Sequence, residues 1–181
     1  NFTGAFTLSG GTFTAPSGTM TVGNSFTISG GTFTHNSGTV TFDGTETATL
    51  SCNNVTFNTV TIDRTGSGGS IFTVGSDCSL PLGANPTVDF TDTGATQTFT
   101  LNGTLSGTGT LTITGNNSSS HTISFGTTAA LSGFSGLSVA DNTGFSTSAT
   151  TLNLGSYTTV NFTGAFTLSG GTFTAPSGAN F

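Results

Sequence analysis

Hydrophobic residues along this chain alternate with threonine in short bursts, and the bursts recur. Phe6-Thr7-Leu8-Ser9-Gly10-Gly11-Thr12-Phe13-Thr14 returns as Phe26-Thr27-Ile28-Ser29-Gly30-Gly31-Thr32-Phe33-Thr34 and again, near the other end, as Phe166-Thr167-Leu168-Ser169-Gly170-Gly171-Thr172-Phe173-Thr174. An apolar/polar period of two marks a strand with one buried face, and Ser-Gly-Gly between the halves supplies a bend. A unit this short cannot bury its apolar side alone; it gains a core only by stacking on its neighbours. The pattern predicts an all-β fold, a parallel β-solenoid (β-helix).

Three apolar lanes run through the repeats. The first holds Phe6/Leu8, Phe26/Ile28, Ala48/Leu50, Phe72/Val74, Phe99/Leu101, Ile123/Phe125, Leu152/Leu154 and Phe166/Leu168. The second runs through Met20/Val22, Val40/Phe42, Val60/Ile62, Pro86/Val88, Leu111/Ile113, Leu137/Val139 and Val160/Phe162. The third begins with Phe13, Phe33 and Val55/Phe57 and becomes hard to follow near Leu80-Pro81-Leu82, Leu105 and Leu131. Three lanes imply about three strands per coil, coils of roughly 20–26 residues, and a roughly triangular cross-section. Phe6, Phe26 and Phe166 in one lane, with Phe13, Phe33 and Phe173 in another, are expected to form the core ladder.

Asn161 to Gly178 repeats Asn1 to Gly18 letter for letter, and Ala179-Asn180-Phe181 then departs from Thr19-Met20-Thr21. Residues 1–160 therefore read as one module of about seven coils, with 161–181 opening the next. The chain begins at Asn1 and shows no secretion signal, so it is expected to be an internal piece of something longer.

Composition sharpens this picture. Only 4% of residues are charged, while 28 are Gly and 17 are Phe; turn formers and β-formers leave little room for helix. The regularly placed Phe argues against a disordered low-complexity tract. With seven acids against the single base Arg64, no nucleic-acid partner is expected, because phosphate binding needs concentrated Lys and Arg. No apolar run approaches the ~20 residues of a membrane helix, and strands of about five residues fall short of the ~9–11 of a membrane barrel, so no membrane insertion is expected.

Residues able to carry chemistry are few. Cys52 and Cys78 are separated by the same offset that relates Thr61-Ile62-Asp63 to Thr87-Val88-Asp89, so they are candidates for a disulfide between successive coils; two buried free thiols are the alternative. Asp43, Asp63 and Asp89 follow the second lane and should form a vertical ladder at one corner. Their repulsion would be relieved by Arg64 beside them, by solvation or by a bound calcium ion. His35 and His121 have no ligand or triad context and are expected in exposed turns or strands. Glu46, Asp77, Asp92 and Asp141 do not pair for glycoside chemistry. Gly10-Gly11, Gly30-Gly31 and Gly68-Gly69 are read as bends, since no helix follows to complete a phosphate loop. The Asn-X-Ser/Thr sequons at Asn1, Asn54, Asn102, Asn116, Asn117 and Asn161 arise readily in such a composition. No enzyme activity, cofactor or metal is expected.

The run Ser29-Gly30-Gly31-Thr32-Phe33-Thr34-His35-Asn36-Ser37-Gly38-Thr39-Val40-Thr41-Phe42-Asp43-Gly44, followed by Val55-Thr56-Phe57-Asn58-Thr59-Val60-Thr61-Ile62, resembles the Gly/Thr-rich tandem repeats of very large bacterial surface proteins. These are β-solenoid fibres and adhesins of the filamentous-haemagglutinin and autotransporter kind. The resemblance implies an extracellular or cell-surface location and a structural or adhesive role, and it carries over no site residue. The expected function is a segment of an extracellular filament whose partner is another copy of itself, stacked through open β-edges. The competing expectation is an adhesin or ligand-binding solenoid for a glycan or surface ligand, or for ice, because Thr12-Phe13-Thr14, Thr32-Phe33-Thr34 and Thr172-Phe173-Thr174 resemble the Thr-X-Thr rows of ice-binding solenoids.

Overall fold

A computed structural model of the chain describes residues 1–64, 70–90, 96–114, 121–140, 144–147, 151–154, 156–162 and 164–177. The described residues contain strands and no helix, and the strands wind as a parallel β-solenoid. One face stacks eight of them: Phe6–Thr14, Phe26–Thr34, Ala48–Ser51, Ile71–Val74, Thr98–Leu101, Thr122–Phe125, Gly144–Thr147 and Phe166–Leu168. A second face stacks seven: Thr19–Val22, Thr39–Asp43, Thr59–Asp63, Thr87–Asp89, Thr110–Thr114, Gly136–Val139 and Thr159–Phe162. The third face is interrupted. Its middle is a sheet of Ser79–Ala84, Thr104–Thr108 and Ala130–Ser132, and its far end pairs Thr151–Asn153 with Thr172–Thr174. At the near end it is formed by the second halves of the nine-residue strands, where Phe13 faces Phe33.

Parallel pairing holds like residues opposite like. On the second face Val40 faces Val60, Phe42 faces Ile62, and Leu111 and Ile113 face Leu137 and Val139. Each of these points inward, while the threonines between them stay at the surface, as the period of two along a strand demands. Inside, the rings stack along the rod: Phe6 on Phe26 at 5.1 Å, Phe13 on Phe33 at 5.9 Å, Phe72 on Phe99 at 6.1 Å and Phe145 on Phe166 at 5.7 Å between centroids. Full burial of a Phe contributes about 1.5–3 kcal/mol and each such ring pair about 0.5–1.5 kcal/mol more, so the aromatic column is a major part of the core. Phe6, Phe26 and Phe33 are buried; Phe13, Phe166 and Phe173 are half-buried because they lie on the terminal coils, which have a neighbour on one side only.

Two lane assignments change. Leu152 and Leu154 do not belong to the first face: Leu152 faces Phe173 on the third, and the first-face place is taken by Gly144–Thr147, where Phe145 faces both Ile123 and Phe166. The Leu-X-Leu pattern outweighs Phe145-Ser146-Thr147 on hydrophobicity alone, because the second inward position there is a polar residue, Thr147, buried to 1% exposure. Between the second and third coils the register also slips by two positions, so that Phe26 faces Leu50 and Ala48 faces only the next coil, opposite Phe72. A slip of two keeps every inward side chain inward, which is why hydrophobic pattern alone does not reveal it.

Corners impose the second constraint. Gly11, Gly31 and Gly171 adopt φ values of 72°, 81° and 72°, the left-handed region, where the strands bend from one face to the next. Gly68 and Gly69 lie outside the described residues. Gly38 is required for a different reason: a Cβ there would stand 2.1 Å from the Pro16 carbonyl oxygen of the coil before it. Gly38→Ala is therefore expected to destabilise the protein by about 1–3 kcal/mol, the usual penalty of overpacking. Gly4, with nothing within 4 Å of its added Cβ, is the matched control. Equal melting temperatures for Gly38→Ala and Gly4→Ala would refute the close corner packing.

Candidate functional site

The acidic ladder forms where the second face ends. Asp43 faces Asp63, and Asp63 faces Asp89, on three successive coils. Alternation carries the next residue, Arg64, inward, and its side chain is wholly buried. This corrects the expectation of a cation standing beside the acids at a solvated corner. In the following coil the equivalent inward position is Phe90, 2% exposed, so Arg64 occupies a place built for a large side chain. Its guanidinium carbon lies 4.9 Å from the centroid of the Phe72 ring, and Nη2 donates to the Glu46 carbonyl oxygen. Among the described residues, Nε and Nη1 have no hydrogen-bond partner. Burial pulls the guanidinium below its ordinary pKa, and the Asp43 and Glu46 carboxylates oppose that shift.

An open polar cavity of about 360 Å³ adjoins this corner, lined among others by Asn1, Thr21, Asp43, Gly44, Thr45 and Glu46. Two of its lining side chains are carboxylates. Among the described residues no group of three or more His, Cys, Asp or Glu side chains is arranged to hold a metal ion.

A buried polar file runs along the beginning of the first face. Ser70, Gln97 and His121 each stand two positions before the mutually paired Phe72, Phe99 and Ile123, and each is at most 5% exposed. His121 is thus a core residue, contrary to the expected exposed position, and its Nδ1 accepts the Gln97 backbone N–H at 3.1 Å. The period of two, extended one step before each strand, was the signal that could have placed all three. His35 is half-buried and accepts the Ser37 N–H at 3.0 Å, closing a turn in which Asn36 and Ser37 have φ of 48° and 58°.

Cys52 and Cys78 form a disulfide with their Cα atoms 5.0 Å apart, joining two successive coils through the core. Closing a loop of this size contributes roughly 3–4 kcal/mol in the chain-entropy account. Beside it the Asp77 carboxylate accepts the Asn53 N–H at 2.7 Å and the Ser51 hydroxyl at 3.2 Å, so this acid organises the corner around the bridge. Glu46 is exposed; Asp92 and Asp141 lie outside the described residues. Of the sequon asparagines, Asn1, Asn54 and Asn161 are exposed and Asn102 is half-buried, while Asn116 and Asn117 lie outside the described residues.

The threonine row anticipated on the third face is short: Thr12 and Thr14 face Thr32 and Thr34, and Thr172 and Thr174 pair in register with Thr151 and Asn153 at the far end. A longer one lies on the second face. Thr19, Thr39 and Thr59 stand in register, as do Thr21, Thr41 and Thr61, and the latter file continues through Thr87 and Thr112. The Thr-X-Thr spacing of the second lane is visible in the sequence.

Among the described residues, Phe6–Thr14 pairs with Phe26–Thr34 alone, Phe166–Leu168 with Gly144–Thr147 alone, and Thr172–Thr174 with Thr151–Asn153 alone. Leu168 is 48% exposed there. What the geometry defines is a class, an all-β parallel β-solenoid. No protein-family model, curated protein or solved structure matches the chain.

The environment of Arg64 gives a stability test. A buried cation with one hydrogen bond and two bare nitrogens costs about as much to desolvate as its contacts return. Arg64→Met, which keeps the bulk over Phe72, is expected to leave the melting temperature unchanged or raise it. A loss of about 3 kcal/mol or more in denaturant unfolding would instead mean that the guanidinium is a fully satisfied partner.

Proposed function

We propose that this chain is a structural segment of an extracellular or cell-surface fibre of the kind built by bacterial surface adhesins, in which solenoid modules stack end to end and the rod does no chemistry. The observation that carries the reading is that 161–178 repeats 1–18 in sequence and that the corresponding strands, Phe6–Thr14 and Phe166–Leu168, take places in the same eight-stranded ladder, so that one module can follow another along it. An open edge bearing unpaired N–H and C=O groups is a template for another strand, and globular proteins ordinarily blunt it with charge or proline. Here the terminal strands Phe6–Thr14, Phe166–Leu168 and Thr172–Thr174 hold neither a charged residue nor a proline. Electron microscopy of the native material tests this: an unbranched filament with an axial repeat on the order of 34 Å, about seven coils at ~4.8 Å each, is expected. Discrete monomers with polar caps at both ends would contradict it.

A second reading, a ligand-binding solenoid, is favoured by the double threonine file of the second face. Its hydroxyls repeat every ~4.8 Å along the rod and about 6.6 Å across it, a lattice suited to the regular surface of a glycan chain or of ice. If ice is the ligand, the purified protein will show thermal hysteresis, and Thr41→Tyr will abolish it without changing the melting temperature. Absence of hysteresis together with no retention on polysaccharide matrices removes this reading.

A further inference from the structure

In the middle of the rod, successive coils are laddered on all three faces: Ile71–Val74 pairs with Thr98–Leu101, Ser79–Ala84 with Thr104–Thr108, and Thr87–Asp89 with Thr110–Thr114. The joint just before this one, between the third and fourth coils, differs. Ala48–Ser51 pairs with Ile71–Val74 on the first face, but on the second only Ile62 and Asp63 stand in register, with Val88 and Asp89. On the third face residues 52–58 belong to no strand, and among the described residues Ser79–Ala84 pairs with Thr104–Thr108 alone. Pro81 supplies a reason. The Thr104 N–H donates to the Cys78 carbonyl, so by strand alternation Ser79 and Pro81 turn their backbone groups toward the coil before, and Pro81 has no N–H to give.

The disulfide stands where that ladder is missing. Cys52 opens the segment 52–58 and Cys78 directly precedes Ser79, with the two Cα atoms 5.0 Å apart. The other ties at this corner run to Asp77: its carbonyl accepts the Asn54 N–H at 3.1 Å, and its carboxylate accepts the Asn53 N–H and the Ser51 hydroxyl. Asp77 is exposed, so water competes for these bonds and they hold the coils weakly. We infer that the Cys52–Cys78 bridge is a redox latch on this one joint. As a disulfide it keeps the third face closed; as two thiols it lets coil 48–63 part from coil 71–89 while the coils beyond stay laddered. Both cysteines are buried, so a reductant reaches them when the joint opens, and reduction then leaves nothing covalent to reclose it. With a dithiol reductant, one thiolate attacks a sulfur of the bridge, the other sulfur leaves as thiolate, and the second thiol of the reductant resolves the mixed disulfide. Two electrons and two protons pass to the cysteines, and the reductant becomes a disulfide. Exchange with a disulfide oxidant runs the same steps backwards and closes the latch. The device does not depend on the filament reading.

Arg64 reports the state of this joint. It is the only Arg, and the chain has no Lys, so trypsin has one place to cut. Its side chain is buried against the ring of Phe72, and its backbone N–H donates to the Asp89 carbonyl at 2.8 Å; both partners belong to the fourth coil. Parting of the joint therefore uncovers it. The native protein with its bridge intact and the variant Cys52→Ala with Cys78→Ala are digested with trypsin, and circular dichroism follows their strand content. Hydrogen exchange is measured on the native protein before and after treatment with dithiothreitol. Cleavage after Arg64 is expected to be on the order of a hundredfold faster in the variant. On reduction, exchange is expected to quicken at 48–58 and 71–82, while 98–101, 110–114 and 122–125 stay protected. Equal cleavage of the two proteins would overturn the latch. Exchange quickened evenly over all these segments, or loss of strand content in the variant, would show that the bridge supports the whole rod and would overturn its assignment to one joint.

Discussion

Everything in this rod follows from the parallel backbone ladder. Once a strand of one coil is paired, its register dictates where the next coil must place an inward side chain. The sequence answers with a large apolar residue at almost every such position, so that Phe26, Phe42, Phe72, Phe99 and Phe125 are all essentially inaccessible. Outward positions carry no such demand, and there the chain settles for threonine, which suits a pleated surface and needs no partner. Coil length is free as long as the ladder is resumed, which explains how the shorter step from Val40 to Val60 and the longer one from Ile62 to Val88 coexist along the second face.

The same rule explains what was legible in the sequence and what was not. The second lane could be read from end to end because Val40/Phe42, Val60/Ile62, Leu111/Ile113 and Leu137/Val139 present two apolar residues per strand at constant phase. The aspartate ladder and the shared offset of Cys52 and Cys78 came with it, since both hang on that register. The third lane was obscure for a physical reason: Val55 and Phe57 contribute to the core from outside any strand, and Pro81 sits within one, so the strand pattern is broken although burial persists. Gly144–Thr147 escaped notice because its second inward residue is Thr147, and the neighbouring Leu152/Leu154 offered a stronger but wrong pattern.

Polar residues inside the rod were the least legible, because hydrophobicity gives no reason to place them there while periodicity does. Arg64 continues the inward phase of Val60 and Ile62, and His121 precedes Ile123 and Phe125 by the same step. Burial of Arg64 is tolerated through the Phe72 ring, the Glu46 carbonyl and the field of Asp43 and Glu46, contributions that offset a desolvation large enough to lower its pKa. Charge is sparse, and while Asp43, Asp63 and Asp89 stack along one corner, the single Arg or Lys of the protein, next to Asp63 in sequence, is held inside.

A ladder has no internal reason to stop. Each coil is stabilised by two neighbours, and the terminal coils, having one, leave Phe13, Phe166 and Phe173 half-covered and Leu168 exposed. Capping would require a different sequence at each end, with charge, proline or a covering segment to spoil the edge. Residues 161–178 repeat 1–18, and the strands Phe6–Thr14 and Phe166–Leu168 carry neither charge nor proline. Under the filament reading, the return of 1–18 at 161–178 lets one module follow another through ladder contacts of the kind already made between coils inside the rod.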